Sequence, residues 1–200
     1  MDEQLAWVIQ AQQGSQDAFT QIVETYQTPV YNLCYRMLGE AEAAEDAAQE
    51  TFLRVYQHLH RYDQKRPFAT WLLSIAAHYC IDRLRKRKFA IISLDAEDED
   101  GSVIELPDPA SPDPERESIK REDREQLHVL LQSLEAKDRA AVVMRYWYDF
   151  SEMEIADTLH LTVSAVKSRL HRARRALAGK WQEDPSELRT QRRPHESPAV

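Results

Sequence analysis

Residues 151–177 read SEMEIADTLHLTVSAVKSRLHRARRAL, and this stretch decides the fold of the C-terminal part of the chain. Ser151 followed three residues later by Glu154 is a capping box, in which the serine caps a helix start and the glutamate reaches back to it. The pattern predicts a helix to Leu159, a turn over residues 160–162 and another helix to about Trp181. Two helices joined by three residues, the second one basic, are the helix-turn-helix pattern.

The second helix of this motif has two chemically different faces. At about 100° per residue, Val166, Leu170, Ala173 and Leu177 share one narrow sector and are predicted to face the core. Arginine can pair with two acceptors of guanine in the major groove, whereas flanking cations suit phosphates. The residues predicted to contact DNA are Ser164, Lys167, Ser168, Arg169, His171, Arg172 and Arg175.

Two other functions compete for this basic helix. Such a helix is also found as the solvated face of a packed domain, or bound to a membrane surface. The capping box, the tight turn and the absence of acidic residues from Thr158 to Gln182 favour DNA contact. A membrane role is disfavoured because the apolar side is needed for the domain core.

The composition predicts an all-α protein. The chain has 200 residues, 42% of them apolar and 30% charged, and only four are glycine. The formal net charge is −8, which alone disfavours autonomous DNA binding. The charge is unevenly placed, however. Five of the six residues Arg83–Lys88 are basic, and Asp95–Glu125 holds thirteen acidic residues against four basic ones.

Hydrophobic periodicity predicts two small helical domains. The predicted N-terminal helices cover 5–13, Ser15 to the residue before Pro29, Pro29 to Gly39, 41–60, and about Phe68–Arg87. In the helix 41–60, the predicted core face holds Ala48, Phe52, Val55, Tyr56 and Leu59. A separate face carries Asp46, Gln49, Glu50 and Leu53.

The chain between the two domains breaks every helical pattern. Its acidic residues, together with Pro107, Pro109, Pro112 and Pro114, predict an extended linker. The predicted boundaries are 1–90 for the first domain, 91–119 for the linker, 120–182 for the second domain and 183–200 for a disordered tail. In the second domain, Leu127, Leu130, Leu131 and Leu134 mark one amphipathic helix, and Val142, Val143, Tyr146 and Trp147 mark another.

Several classes of site and location are disfavoured by the sequence. Cys34 and Cys80 have no metal-ligand or redox spacing and are predicted to be buried, reduced thiols. His58 and His60 are two residues apart and would not share a helix face, so no metal site is expected. No run approaches the ~20 apolar residues of a membrane span, and the N-terminus lacks signal-peptide features. The expected location is the cytoplasm, without membrane insertion.

Taken in order along the chain, these motifs resemble those of the extracytoplasmic-function (ECF) sigma factors of bacterial RNA polymerase. Glu154-Ile155-Ala156, Leu159 and Val166–Arg174 resemble conserved region 4 of that family. The segments of this chain that resemble conserved region 2 are Asp17-Ala18-Phe19, Ala44-Glu45-Asp46, Gln49–Leu53, Phe68–Leu72, Ile75-Ala76 and Asp82–Arg85. The resemblance covers nearly all of residues 5–180.

The resemblance implies roles for both domains. The second domain would read the −35 promoter element, and the first would capture the unpaired −10 element and dock on the clamp helices of the polymerase largest subunit. Residues implied for −10 DNA are Lys65, Arg66, Phe68, Thr70, Trp71, His78, Arg83, Arg85 and Lys86. For Phe68 and Trp71, helical spacing favours core packing over DNA contact. Residues implied for polymerase contact are Asp46, Gln49, Glu50, Phe52 and Leu53.

Three positions depart from the family pattern. His78 stands where the family usually has asparagine, and His160 replaces the usual glycine of the turn. Histidine adopts the left-handed conformation at modest cost, so the turn is still predicted. Residues 162–165 are a looser version of the usual sequence before Val166, which bears on the preferred −35 bases.

The partners implied are core RNA polymerase, promoter DNA and an anti-sigma factor, with no cofactor and no small-molecule substrate. The acidic linker either passes through a cationic channel of polymerase or is a simple tether. The competing function is a stand-alone helix-turn-helix regulator, which would bind duplex DNA alone, usually as a dimer. An enzyme is disfavoured because the sequence has no phosphate loop, nucleophile motif or paired carboxylates in an apolar pattern.

Overall fold

A computed structural model describes the backbone of residues 3–93 and 125–182, and the side chains of residues 4–88 and 125–179. Its elements are α1 (Glu3–Gln12), α2 (Gln16–Leu38), α3 (Ala41–His58), a 3-10 turn (Leu59–Arg61), α4 (Phe68–Ser93), α5 (125–132), α6 (Ala136–Trp147), α7 (Glu152–Leu159) and α8 (Val163–Gln182). The all-α prediction is confirmed. The predicted linker beyond residue 93 and the predicted tail lie outside the described residues.

Helix α2 corrects one predicted boundary. A helix break was expected at Pro29, but α2 continues through this proline to Leu38. Proline removes one backbone donor and costs about 3 kcal/mol within a helix. On both sides of it, Tyr26, Val30 and Leu33 are buried against the rest of the domain, and this burial outweighs the local cost. Ser15 caps the helix start as predicted, accepting a hydrogen bond from the Ala18 amide.

Gly39 ends α2 in a left-handed backbone conformation that favours glycine. Its φ is 88°, in the left-handed region, and its amide donates to the Tyr35 carbonyl. An added Cβ would lie 2.8 Å from the side chain of Gln132, which belongs to α5. This glycine therefore sets both the helix end and the approach of the second domain.

Helices α3 and α4 complete the N-terminal domain, and α3 presents a different core face from the predicted one. The buried residues of α3 are Ala44, Ala47, Thr51 and Val55. Tyr56, predicted to be in the core, is 54% exposed and makes an edge contact with Phe19 at 5.0 Å between ring centroids. The prediction for Tyr56 was wrong because the buried stripe is narrow and small residues let α3 lie close to α2.

The C-terminal domain follows the predicted pattern closely. Leu130, Leu131 and Leu134 are buried, as are Val142 and Val143 of α6, whereas Tyr146 is 51% exposed. Both hydrogen bonds of the capping box at Ser151 and Glu154 are present. His160 has a φ of 53° and ends α7 in the left-handed conformation, as the turn requires. Helix α8 buries Val166, Leu170 and Ala173, with Leu177 partly buried.

The two domains pack against each other through one continuous hydrophobic core. Arg139 of α6 is 5% exposed and donates to the Met37 carbonyl at the end of α2. The hydroxyl of Tyr148 donates to the Pro29 carbonyl at 2.7 Å, and Gln132 Nε2 donates to the Arg36 carbonyl at 3.2 Å. The Arg36 guanidinium lies 5.1 Å from the centre of the Trp147 ring. Polar contacts along the C-terminal half of α2 therefore fix how α5 and α6 approach.

The two cysteines are free and buried, as the sequence predicted. The structure adds that their thiols meet: a hydrogen bond with Cys34 raises the pKa of Cys80, and burial raises it further. Such thiols are unreactive at neutral pH. No helix among the described residues has the length and apolar character of a membrane span.

Candidate nucleic-acid interface

Helix α8 presents the predicted DNA-contact residues on the side away from the core. Ser164, Lys167, Ser168, His171, Arg172 and Arg175 are all exposed, and Arg169 is half-buried. This division follows from the buried stripe of Val166, Leu170 and Ala173, which fixes the rotation of the helix. The geometry leaves hydrogen-bond donors on the face that a DNA groove would meet.

Three of these cations form ion pairs inside the C-terminal domain. Arg169 Nη1 donates to Asp138 Oδ1, and Arg172 Nη2 lies 3.8 Å from Asp138 Oδ2. Lys167 Nζ lies 3.5 Å from a carboxylate oxygen of Glu152. Arg169 is therefore turned toward α6, so its predicted contact with DNA is not supported by its orientation.

A cleft of about 460 Å³ opens beside the recognition helix α8. Its lining includes Arg145 of α6 together with Lys167, His171 and Arg174 of α8, and one acid, Glu152 of α7. The Arg145 side chain is fixed by a 2.9 Å hydrogen bond to the Phe150 carbonyl. Four basic side chains around one acid make a surface suited to phosphate groups.

Local hydrogen bonds hold α7 and the turn in front of α8. The Ser151 amide donates to Glu154 Oε2 at 2.8 Å, and its hydroxyl donates to the same oxygen at 2.7 Å. Hydrogen bonds from the Ser151 backbone and side chain lower the pKa of Glu154. After the turn, Thr162 Oγ1 accepts from the Ala165 amide at 3.1 Å and caps α8. The motif is thus pre-formed by its own sequence.

In the N-terminal domain, the loop before α4 (62–67) packs on a cluster of aromatic rings. Tyr62 is buried and its hydroxyl donates to the Arg66 carbonyl. Phe68 is 8% exposed and contacts the rings of Tyr26, Tyr62 and Trp71 at 5.2–5.7 Å. Phe68 is therefore a core residue and is not available to stack on a base, which corrects its assignment to the −10 set. Trp71 is half-buried in the same cluster.

Helix α7 lies over the predicted −10 surface of α4. Thr70 Oγ1 donates to Glu154 Oε1 at 3.3 Å, and Arg66 forms a 4.0 Å ion pair with Asp157. The His78 ring stacks on that of His160, with centroids 5.5 Å apart and an angle of 20° between the planes. The two histidines that depart from the family pattern therefore contact each other. Lys65 remains exposed.

The basic end of α4 lies beside α3. Arg83 Nη2 is 3.4 Å from Asp46, and Arg87 Nη1 is 2.5 Å from Glu40. Arg85 and Lys86 are exposed, and Arg85 lies 3.9 Å from Asp82 one turn before it. Since α4 rises about 1.5 Å per residue, Arg83 and Lys86 lie ~20 to 24 Å along the helix from Thr70. The predicted −10 residues therefore occupy two separate patches rather than one.

The predicted polymerase-contact face of α3 is largely accessible. Leu53 is 52% exposed, Asp46 and Gln49 are exposed, and Phe52 is half-buried against the core. Glu50 pairs with Arg54 at 2.7 Å. Tyr56, which the sequence placed in the core, adds a second exposed apolar side chain one turn after Phe52. Leu53 and Tyr56, three residues apart, thus place two exposed apolar side chains next to each other on this face, beside acids.

Sequence reasoning missed the acidic partners of these sites. Asp138, Glu154 and Asp157 were not assigned to any surface, yet each contacts a predicted DNA-binding residue. These pairings join positions far apart in the chain, so no local pattern signals them. The described residues contain no cluster of three metal-ligating side chains.

The chain is similar to known proteins along most of its length. The family described as Sigma-70 region 2 matches residues 22–90, and Sigma-70 region 4 matches residues 124–177. The ECF RNA polymerase sigma factor SigW of Bacillus subtilis is 39% identical over 171 residues, covering 84% of this chain and 91% of that protein. The RNA polymerase sigma-H factor of Pseudomonas aeruginosa is 32% identical over 180 residues, covering 88% and 91%.

Solved structures share the fold. The sigma factor RpoE of Bartonella quintana, in complex with the anti-sigma factor NepR, has a TM-score of 0.67 at 20% identity over 85% of this chain and 99% of that one. CnrH in complex with the cytosolic domain of CnrY has a TM-score of 0.63 at 24% identity, covering 90% and 97%. With both region matches in their proper order and relatives this similar over nearly their full length, the chain belongs to the ECF family of RNA polymerase sigma factors.

Proposed function

We propose that this protein binds core RNA polymerase and directs it to promoters whose −35 and −10 elements it reads with separate domains. The observation that carries the proposal is the recognition helix α8, which exposes Lys167, His171 and Arg172 beyond a buried apolar stripe. Arginine paired with guanine in the major groove would supply base selectivity, and the surrounding cations would bind phosphates. The protein acts as a non-catalytic subunit, in the cytoplasm.

Polymerase docking is assigned to α3. Its face combines the exposed apolar side chain of Leu53 with the acids Asp46 and Glu50 and the amide of Gln49. We assign the clamp helices of the polymerase largest subunit as the partner surface. Tyr56 joins this set because it is exposed on the same helix.

The −10 element is assigned to the loop before α4 and to the start of that helix. Lys65 and Arg66 supply cations, Thr70 and His78 supply polar groups, and Trp71 offers a partly exposed ring. Single-stranded DNA binding needs such a combination of cationic groove and aromatic surface. We assign the basic patch at Arg83, Arg85 and Lys86 to contact with the phosphate backbone of the DNA next to the −10 element.

Regulation by an anti-sigma factor is part of the proposal. Two structurally similar proteins were solved with a partner bound: CnrH with the cytosolic domain of CnrY, and the sigma factor RpoE with the anti-sigma factor NepR. A partner of this kind would keep the chain inactive by covering the polymerase-contact face of α3, the DNA surfaces, or both. The acidic linker, outside the described residues, would follow a cationic channel of polymerase.

In vitro transcription from genomic promoter fragments, with purified core polymerase and this protein, tests the proposal. We expect specific transcription starts that neither component gives alone. Arg172→Ala should weaken −35 selectivity but leave core binding intact, because this side chain lies on α8 and the residues assigned to polymerase contact lie on α3. The double change Glu50→Ala with Leu53→Ala should do the reverse.

The outcome also separates the two candidate functions. A stand-alone regulator would bind duplex promoter DNA tightly without polymerase and would give no start with core enzyme. The net charge of −8 opposes such autonomous binding. Absence of both core binding and specific starts would refute the sigma-factor function, and equal loss of both activities in Arg172→Ala would show that this residue is misassigned.

A further inference from the structure

Asp138, in the first turn of α6, is a carboxylate to which the proposed function gives no role. Its side chain is only 14% exposed and lies against the recognition helix. Oδ1 accepts a hydrogen bond from Arg169, and Oδ2 lies 3.8 Å from Nη2 of Arg172. One carboxylate thus faces two arginines that are neighbours on the same face of α8, three residues apart.

The two arginines differ in what remains free for DNA. The Arg169 side chain is 23% exposed and turned inward, so it anchors Asp138 rather than reaching a base. The Arg172 side chain is 63% exposed and approaches Asp138 through one terminal nitrogen. Because a guanidinium has five N–H donors in a rigid fork, this contact leaves donors free for a bidentate pair with a base.

An ion pair that orients the Arg172 side chain affects sequence selectivity more than affinity. An arginine that is already oriented loses less conformational freedom when it pairs with the correct base, whereas an untethered one also reaches phosphates and other bases. The carboxylate itself disfavours the phosphate backbone, which lowers sequence-independent binding. Both effects widen the difference between correct and incorrect sites, which is what specificity measures.

We propose that Asp138 is a positioning residue for −35 recognition, holding Arg172 in the direction from which its guanidinium meets a base edge. Arg169 fixes the carboxylate from the other side. This inference deepens the proposed function and rests on it, since it requires that α8 read the −35 element.

The test uses holoenzyme assembled from core polymerase and the full chain, bound to promoter duplexes randomised over the −35 region. The measured quantity is the ratio of affinities for the selected sequence and its single-base mismatches. Asp138→Asn should lower this ratio about five- to tenfold at the position that Arg172 reads, within the range of one bidentate contact. Binding to the mismatched duplexes should stay equal or rise.

A double-mutant cycle separates positioning from a general structural effect. In the Arg172→Ala background, Asp138→Asn should change the ratio no further, because the two residues act through one contact. Glu24→Gln is the control, since it neutralises an exposed carboxylate of α2 in the other domain and should leave the ratio at the Arg172 position unchanged. Additive losses in the cycle, or equal losses in the control, would overturn the inference.

Thermal unfolding of each variant guards against a folding artefact. If Asp138→Asn is unfolded at the assay temperature, the cycle is run with Asp138→Glu, which keeps the charge and moves it by one bond. A changed ratio that disappears in the Arg172→Ala background supports positioning, and an unchanged ratio contradicts it. Wild-type holoenzyme without any −35 selection would refute the proposed function instead, so the two failures are distinguishable.

Discussion

Arg139 is the only charged side chain that is buried in the described part of the chain. Burial lowers its pKa to about 10, so it remains protonated at neutral pH. Its terminal nitrogens donate to the carbonyls of Met37, Gln132 and Leu134, while its Nε has no partner. The arginine thus supplies donors to carbonyls at the end of α2 and around the end of α5, and buried carbonyls of this kind are almost always hydrogen-bonded.

We expect Arg139→Met to lower the free energy of unfolding by about 2 to 3 kcal/mol. Methionine fills the volume but leaves buried carbonyls without hydrogen bonds, and each such carbonyl costs about 1–3 kcal/mol. Part of this loss is offset because the variant no longer buries a charge, which is itself unfavourable. Urea unfolding followed by circular dichroism measures the change. Arg61→Met, at an exposed site, should stay within about 0.5 kcal/mol. Equal stabilities of the two variants would contradict this account.

At the scale of elements, the helix-turn-helix was predictable and the course of α2 was not. Residues close together in the sequence determine each part of this motif: the capping box at Ser151, the left-handed turn residue His160 and the apolar stripe of α8. In α2, the local signal at Pro29 favours a break, but burial on both sides carries the helix through. Sequence patterns therefore predict elements whose determinants are local and miss those decided by tertiary packing.

The cap of α7 gives a prediction with a defined pH dependence. Ser151→Ala removes a hydroxyl that accepts from the Glu154 amide and donates to its carboxylate, so the unfolding midpoint should fall by an amount equivalent to about 1 kcal/mol. Folding lowers the pKa of Glu154. The stability that its carboxylate contributes to the folded state is therefore present above the unfolded pKa and is lost as the pH falls through the folded pKa.

Thermal unfolding of the wild type and Ser151→Ala should therefore differ most at pH 6 to 7 and less at about pH 3.5, as the carboxylate becomes protonated. Ser164→Ala, at an exposed serine whose hydroxyl has no hydrogen bond within the described residues, is the matched control and should show little change. A difference that is constant across this pH range would mean that Glu154 takes no part in the cap.

At the scale of the whole molecule, the sequence predicted two domains but not how they meet. Tyr148, Arg139 and Gln132 carry no local signal that they bond to the C-terminal half of α2, because their partners are about 100 residues away. The same holds for His78 and His160, because nothing in the sequence indicates that these two departures from the family pattern contact each other. In the structure, α7 covers part of the proposed −10 surface while Leu53 on α3 stays exposed. This packing of α7 on α4, here called the closed arrangement, leaves Leu53 accessible, and the proposed function requires that it open for −10 reading.

We expect two half-buried histidines to make this closed arrangement dependent on pH. Burial lowers the pKa of His78, which faces His160 and the Thr158 carbonyl on α7 and Asp82 on its own helix. Burial also lowers the pKa of His128, which stacks on Tyr35 across the interface at 5.1 Å. A histidine whose pKa is lower in the closed form binds protons more readily in the open form. The closed form is therefore favoured above about pH 6.5, and this advantage is lost as the pH falls below that value.

We expect acidification from pH 8 to pH 5.5 to separate the domains of the free protein. The measurement is energy transfer between dyes on Glu42→Cys of α3 and Ala176→Cys of α8, two exposed positions, since the native thiols are buried. Asparagine at His78 and His128 together should remove most of the pH dependence, whereas His58→Asn, at an exposed site, should retain it. A distance that does not change with pH in the wild type, or one that changes equally in the asparagine variant, would show that these histidines do not control closure.

The Tyr148 hydroxyl gives a second prediction for the same energy-transfer measurement. Tyr148→Phe removes the hydrogen bond to the Pro29 carbonyl, which joins the two domains. The population should therefore shift toward the open form about fivefold at any pH.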